Sequence, residues 1–179
     1  MLVFFTKIKY TIKNKILKTK EDITMNNEQY IPSSVEFAIY LNQVANNLNK
    51  QPGVTKIQKW LYVCYGLFLE MYETTLFDEN PIAADYGPFF PLVHEKQKAN
   101  NGCLDNIEIN PRILNIPEYE EVVYTTLHYF GELSATKLVD WTHKKGTAWD
   151  KKYNIQNERY RPLDAVDIRA DFASLIVRE

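Results

Sequence analysis

"TKIQKWLYVCYGLFLEM", Thr55 to Met71, is apolar on almost every side of a helix. Ile57, Trp60, Leu61, Cys64, Tyr65, Phe68 and Met71 recur at helical spacing, and most positions between them are also apolar. A helix with so little polar face is buried all round, so this one is the centre of a helical core. Pro52-Gly53 in front of it supplies a turn. Thr55 and Gln58 read as a capping box, each side chain satisfying a free backbone N–H at the helix start. Gly66 costs about 1 kcal/mol relative to Ala inside a helix, so its presence predicts a close approach by another element.

Working outward, residues 34–49 carry Phe37, Leu41, Val44 and Leu48 at helical spacing, an amphipathic partner for the central helix. Beyond it, "LFDENPIAADYGPFFP" (Leu76 to Pro91) changes character. Residues 81–85 read as a short strand, and Pro88 suits the first turn of a helix reaching Asn100. "IEINPRILNIP" is β-branched and broken by prolines, which predicts a weak strand within 106–116. Helical spacing returns over 118–130 through Tyr119, Val122, Val123, Thr126, Leu127 and Phe130, closed by Gly131. Ser134 caps a further helix that Gly146 stops, and Pro162 opens a last one over 162–175. The expectation is a mainly α, compact single helical domain with a small β element, its short strands near 81–85 and 106–116.

The 179 residues are 45% hydrophobic and 25% charged, ordinary for one globular domain. The net charge of −2 is uneven. Residues 1–24 hold six lysines against Glu21 and Asp22, a net +4, which leaves −6 on residues 25–179. That acidity argues against a dedicated nucleic-acid binder; it suits a basic protein partner, although a merely soluble surface is the commoner reason for it. The basic extension 1–24 has its apolar run before its lysines, the reverse of a secretory signal. Lys20-Glu21-Asp22 can be encoded by AAGGAGGAT, a bacterial ribosome-binding sequence at the usual distance from Met25. Translation from Met25 is therefore expected, with the domain over 25–179. Cys64 and Cys103 match no zinc or redox spacing, so no disulfide and a cytoplasmic location are expected. No apolar run reaches the length of a membrane span.

Phosphate-binding glycine loops, dinucleotide fingerprints, nucleophile elbows and helical zinc motifs are all missing from the sequence. Asp140 and His143 lie three apart on one helix, but no nucleophile accompanies them, and a structural histidine is the expected reading. The acidic pairs Glu70/Glu73, Asp78/Glu79 and Glu120/Glu121 have no neighbouring His to make a metal site. The lysines of "HKKGTAWDKK" favour a helix C-terminus, and Asp150 dilutes any nucleic-acid patch. No catalytic residue, cofactor or metal is expected.

Three stretches taken together resemble the Panacea domain, the family that includes SocA-type antitoxins. They are a Lys56-x-x-Lys59-x-Leu61-Tyr62 helix, then Leu76-Phe77-Asp78 with Ala84-x-Tyr86-Gly87-Pro88 and Pro91, then Ser134-Ala135, Leu138, Thr142-His143 and Trp149. The resemblance covers about residues 35–155. It departs from the family at Phe89-Phe90, where members often have aliphatic residues, and at Lys145 and Thr147-Ala148, where an acidic residue and a proline are common. The resemblance implies a non-catalytic antitoxin, often phage-associated, that holds a cognate toxin inactive by direct binding. One branch of the family delivers its toxin to an ATP-dependent protease instead. Sequence leaves that choice open, together with a homodimer or a nucleic-acid-binding regulator.

Within this frame, "DYGPFFP" (Asp85 to Pro91) is the candidate contact. Its rings either fold back onto the central helix or are presented by a rigid turn as anchors for a partner. Adjacent residues seldom face the same way, so one Phe is expected inside and the other available. The partner-binding candidates are Tyr86, Gly87, Pro88, Phe89, Phe90, His143 and Trp149, with His143 expected to fix its local turn by hydrogen bonding.

Overall fold

The central helix is α2, Val54–Tyr72, and it is buried continuously from Ile57 to Glu70. The computed structural model describes residues 8–10 and 30–178. Around α2 pack α1 (Ser34–Asn47), α4 (Pro117–Phe130), α5 (Ala135–Thr142) and α7 (Ala165–Ala173), so the core is a sheath of helices about one apolar axis. At Gly66, α7 packs tightly on α2: the Phe172 ring lies against the glycine, in space that a Cβ would occupy. The close approach expected at Gly66 is therefore present. Cys64 is buried against Thr126, and neither cysteine forms a disulfide.

Local chemistry explains the helix starts. Ser33, not Thr55, heads a capping box, its hydroxyl accepting the Glu36 N–H while the Glu36 carboxylate accepts the Ser33 N–H. In α2 the N-cap is Gly53, extended at φ −143° and ψ 169°, so Thr55 already lies inside the helix. Gln58 is thereby freed for a different task, described below. Asp164 stands as N-cap of α7, and Pro162 lies ahead of the helix in a bridge to Ile82.

The β element differs from expectation at both ends. Ile82–Ala84 (β2) pairs antiparallel with Gly87–Phe89 (β3), in the register Ile82 to Phe89 and Ala84 to Gly87. Pro88 therefore sits in a strand, and it is Pro91 that opens α3 (Pro91–Ala99). A proline is tolerated there because it faces Ala83, whose N–H bonds Arg161 O and whose carbonyl accepts from Tyr160 N, both away from β3. No strand forms within 106–116. Pro111–Asn115 is instead a 3₁₀ turn capped by the Asn110 side chain. Ile107, Ile109 and Ile116 pack on the core from irregular backbone, so their β-branched pattern reports burial and not pairing.

Four further elements had no counterpart in the sequence reading. Ala148–Asp150 (α6) runs into a π-helical turn over Lys151–Ile155. Ile8–Tyr10 (β1) pairs in parallel with Ile176–Arg178 (β4); the rest of residues 1–24 lies outside the described residues. Among the described residues, no helix is long and apolar enough to cross a membrane.

Candidate functional site

The β2–β3 hairpin is held from two sides, and its apex stands in solvent. On the inner side α2 holds β3 at Pro88 and at Phe90, the residue that follows the strand. The Gln58 amide accepts the Phe90 N–H at 2.8 Å and donates to the Phe90 carbonyl at 3.2 Å. Lys59, only 2% exposed, donates from Nζ to Pro88 O at 2.8 Å. Burial pushes this lysine down to about 7, because no charge offsets the loss of water around the ammonium. Two polar side chains on a buried helix thus complete the edge of a short strand that would otherwise lack partners.

On the outer side, residues 143–163 wrap the hairpin. Tyr160 N, Ala83 and Arg161 O continue the backbone pairing beyond β2, and Leu163 N donates to Pro81 O. Trp149 donates Nε1–H to Ala84 O at 2.8 Å. Its indole lies between two rings, His143 at 3.8 Å and 10°, and Tyr153 at 4.5 Å and 18°, with the Arg159 guanidinium over the far face of Tyr153. At the turn, the Tyr160 and Tyr153 hydroxyls donate to the two oxygens of Asp85, holding its carboxyl below the usual range. α6 is tied down by Ala148 N donating to Asp171, which Tyr62 of α2 also reaches. The apex cannot swing freely while these clamps hold.

The seven candidate residues are brought together but divide sharply by exposure. Tyr86 is 77% exposed at the apex. Phe89 is half-buried and tilts against the His94 ring, and the neighbouring Leu92 is exposed. Phe90 is fully buried between Tyr65 and Phe77, so one Phe is inside and the other partly outside. Gly87, Pro88 and Trp149 are also buried. Phe90 and Trp149, named as contact candidates, are thus enclosed within the fold. His143 differs from expectation too: its ring is held by stacking on Trp149, and its Nε2 is buried without a hydrogen-bond partner. Burial lowers its pKa, Lys59 lowers it further, and Asp140 opposes them.

Sequence reasoning missed Gln58, Tyr153, Arg159 and Tyr160 as supports of the hairpin, and quoted Asp85 without giving it a role. Lys59 was visible only as a motif position. Trp149→Phe keeps a ring in the stack but removes the indole N–H that bonds Ala84 O, and a loss of about 1–2 kcal/mol is expected. Urea unfolding checks this; an unchanged midpoint would mean that the indole N–H does not hold the hairpin. Among the described residues, no cluster of three His, Cys, Asp or Glu could hold a metal ion.

The family model for the SocA-like antitoxin Panacea domain matches residues 57–150, just over half of the chain. That span runs from α2 through the hairpin to the end of α6, so it contains both Lys59 and the His143–Trp149 stack. No curated protein and no solved structure matches the chain.

Proposed function

The chain belongs to the Panacea family of SocA-like antitoxins, and we propose that it neutralises a cognate toxin by direct protein–protein binding, with the hairpin apex as the contact. The observation that carries this is Tyr86: a large ring, 77% exposed, on a turn clamped by two separate parts of the fold. A tyrosine held in this way adds contact area at little cost in conformational entropy, which is what a binding anchor requires. Phe89 and Leu92 extend the apolar surface beside it. In this reading the protein performs no catalysis and needs no cofactor. Gly87, Pro88, Phe90, His143 and Trp149 serve binding by fixing where Tyr86 stands.

The reading is tested with the purified product of the adjacent reading frame. Tyr86→Ala is expected to unfold within about 0.5 kcal/mol of the parent, as surface substitutions do. Its affinity for that product is expected to fall by about tenfold to a hundredfold, the range of an interface anchor. Equal affinity with the fold intact would remove the apex from the interface.

A further inference from the structure

Two basic side chains meet behind the hairpin with no acid between them. A Cβ on Gly87, whose φ is +95°, would lie 2.9 Å from Lys59 Nζ, 3.2 Å from His143 Nε2 and 2.6 Å from Thr142 Oγ1. The three polar atoms therefore converge on the one residue of β3 that has no side chain. Thr142 gives its proton to Val139 O at 2.9 Å. Lys59 has Pro88 O as an acceptor, and His143 Nε2 has nothing. The charged groups that act on His143 are Lys59, from α2, and Asp140, exposed one turn back on its own helix. Gly87 and Pro88 of β3 and Trp149 of α6 contribute none.

We propose that the hairpin is a proton-coupled latch: β2–β3 opens away from α2 and α5 with uptake of protons at Lys59 and His143, so that it is held most firmly at alkaline pH and loosens progressively as pH falls. When closed, a proton on Lys59 creates a cation removed from water with a single carbonyl to meet it. A proton on His143 Nε2 points an N–H without an acceptor towards that cation. Opened, both groups are hydrated and take up protons at their ordinary affinities. The direction follows from linkage: the state that binds more protons gains as pH falls. Lys59 acts as pH falls from its ordinary range near 10.5 to about 7, and His143 acts below 6.5. Stacking of an imidazolium on Trp149 works against opening but supplies no acceptor for the buried N–H. The latch stands on the geometry of this chain alone, whether or not Tyr86 meets a toxin.

The test is native-state hydrogen exchange on the full chain between pH 8.5 and 5.5, corrected for intrinsic rates. The reporters are the Phe90 and Ala83 amides, which bond Gln58 and Arg161, with α2 amides as the measure of global unfolding. The expected result is an opening constant for the hairpin that rises at least tenfold as pH falls, while α2 stays closed. Lys59→Met is expected to flatten the upper part of that rise, and His143→Gln the lower part. An opening constant independent of pH overturns the proposal. So does a slope that both variants retain in full, or a hairpin that opens only together with α2.

Discussion

Phe90→Ala is expected to cost about 3–5 kcal/mol, as removal of a fully buried ring does when its surroundings cannot collapse around the void. The neighbours are themselves large and fixed. Phe77 meets Phe90 nearly edge-on at 5.5 Å, and Tyr65 lies at 6.2 Å. The backbone of the residue is held as well, at both N–H and carbonyl, by Gln58. Against a total stability of about 5–15 kcal/mol for a domain, a loss of that size leaves little margin. Phe89→Ala, one residue away, is expected to cost only about 1 kcal/mol, because its ring is half-buried and leans on His94 at the surface. Denaturant midpoints of the two variants measure the difference. Comparable losses would mean that Phe90 is not the anchor that seats the hairpin on α2.

Gly66→Ala is the second large effect, and its sign runs against helix propensity. Alanine gains about 1 kcal/mol over glycine inside an ordinary helix. Here its Cβ would fall 2.0 to 2.5 Å from three carbons of the Phe172 ring. That ring is fully buried and packed edge-on against Tyr62 and Trp141, each at 5.6 Å, so it has nowhere to turn. α7 must shift as a unit, and a net loss of about 2–3 kcal/mol is expected from overpacking. A Phe172→Leu change made alongside should recover part of it, since a smaller side chain leaves room for the methyl group. Gly66→Ala at or above the parent's stability would show that α7 does not depend on this contact.

The helical core was legible because a helix that is apolar all round leaves one option, a central position. Gly66 was legible for the same reason, as an unfavourable residue that only tight packing explains. The hairpin was not. Gly87-Pro88 is ordinary turn chemistry, and the sequence gives no sign that Pro88 would face Ala83 with no N–H required of it. Likewise Ile107, Ile109 and Ile116 look like strand residues, but Pro111 and Pro117 interrupt them and they pack from irregular backbone.

At the site, a count of rings drew attention to one segment, and the fold divides those rings by burial. Tyr86 is exposed where the two phenylalanines drew attention, and Trp149 is enclosed where a contact surface was an open reading. The supporting residues lie far off in sequence. Lys59 finds its acceptor 29 residues away, and Tyr160 reaches Asp85 across 75. Such pairings follow from tertiary packing, and local spacing carries no trace of them. Gln58 shows the point most plainly. It fits a capping box in sequence, but in the fold Gly53 caps α2 and the amide goes to Phe90.

The most direct measurement is growth under controlled co-expression. The adjacent reading frame is induced alone, with the full chain, and with its Tyr86→Ala variant at matched levels. The expected result is arrest when the frame is induced alone, rescue with a co-purifying complex when the chain is present, and impaired rescue with the variant. Arrest that the chain does not relieve, or relief without a complex between the two proteins, would contradict neutralisation by direct binding.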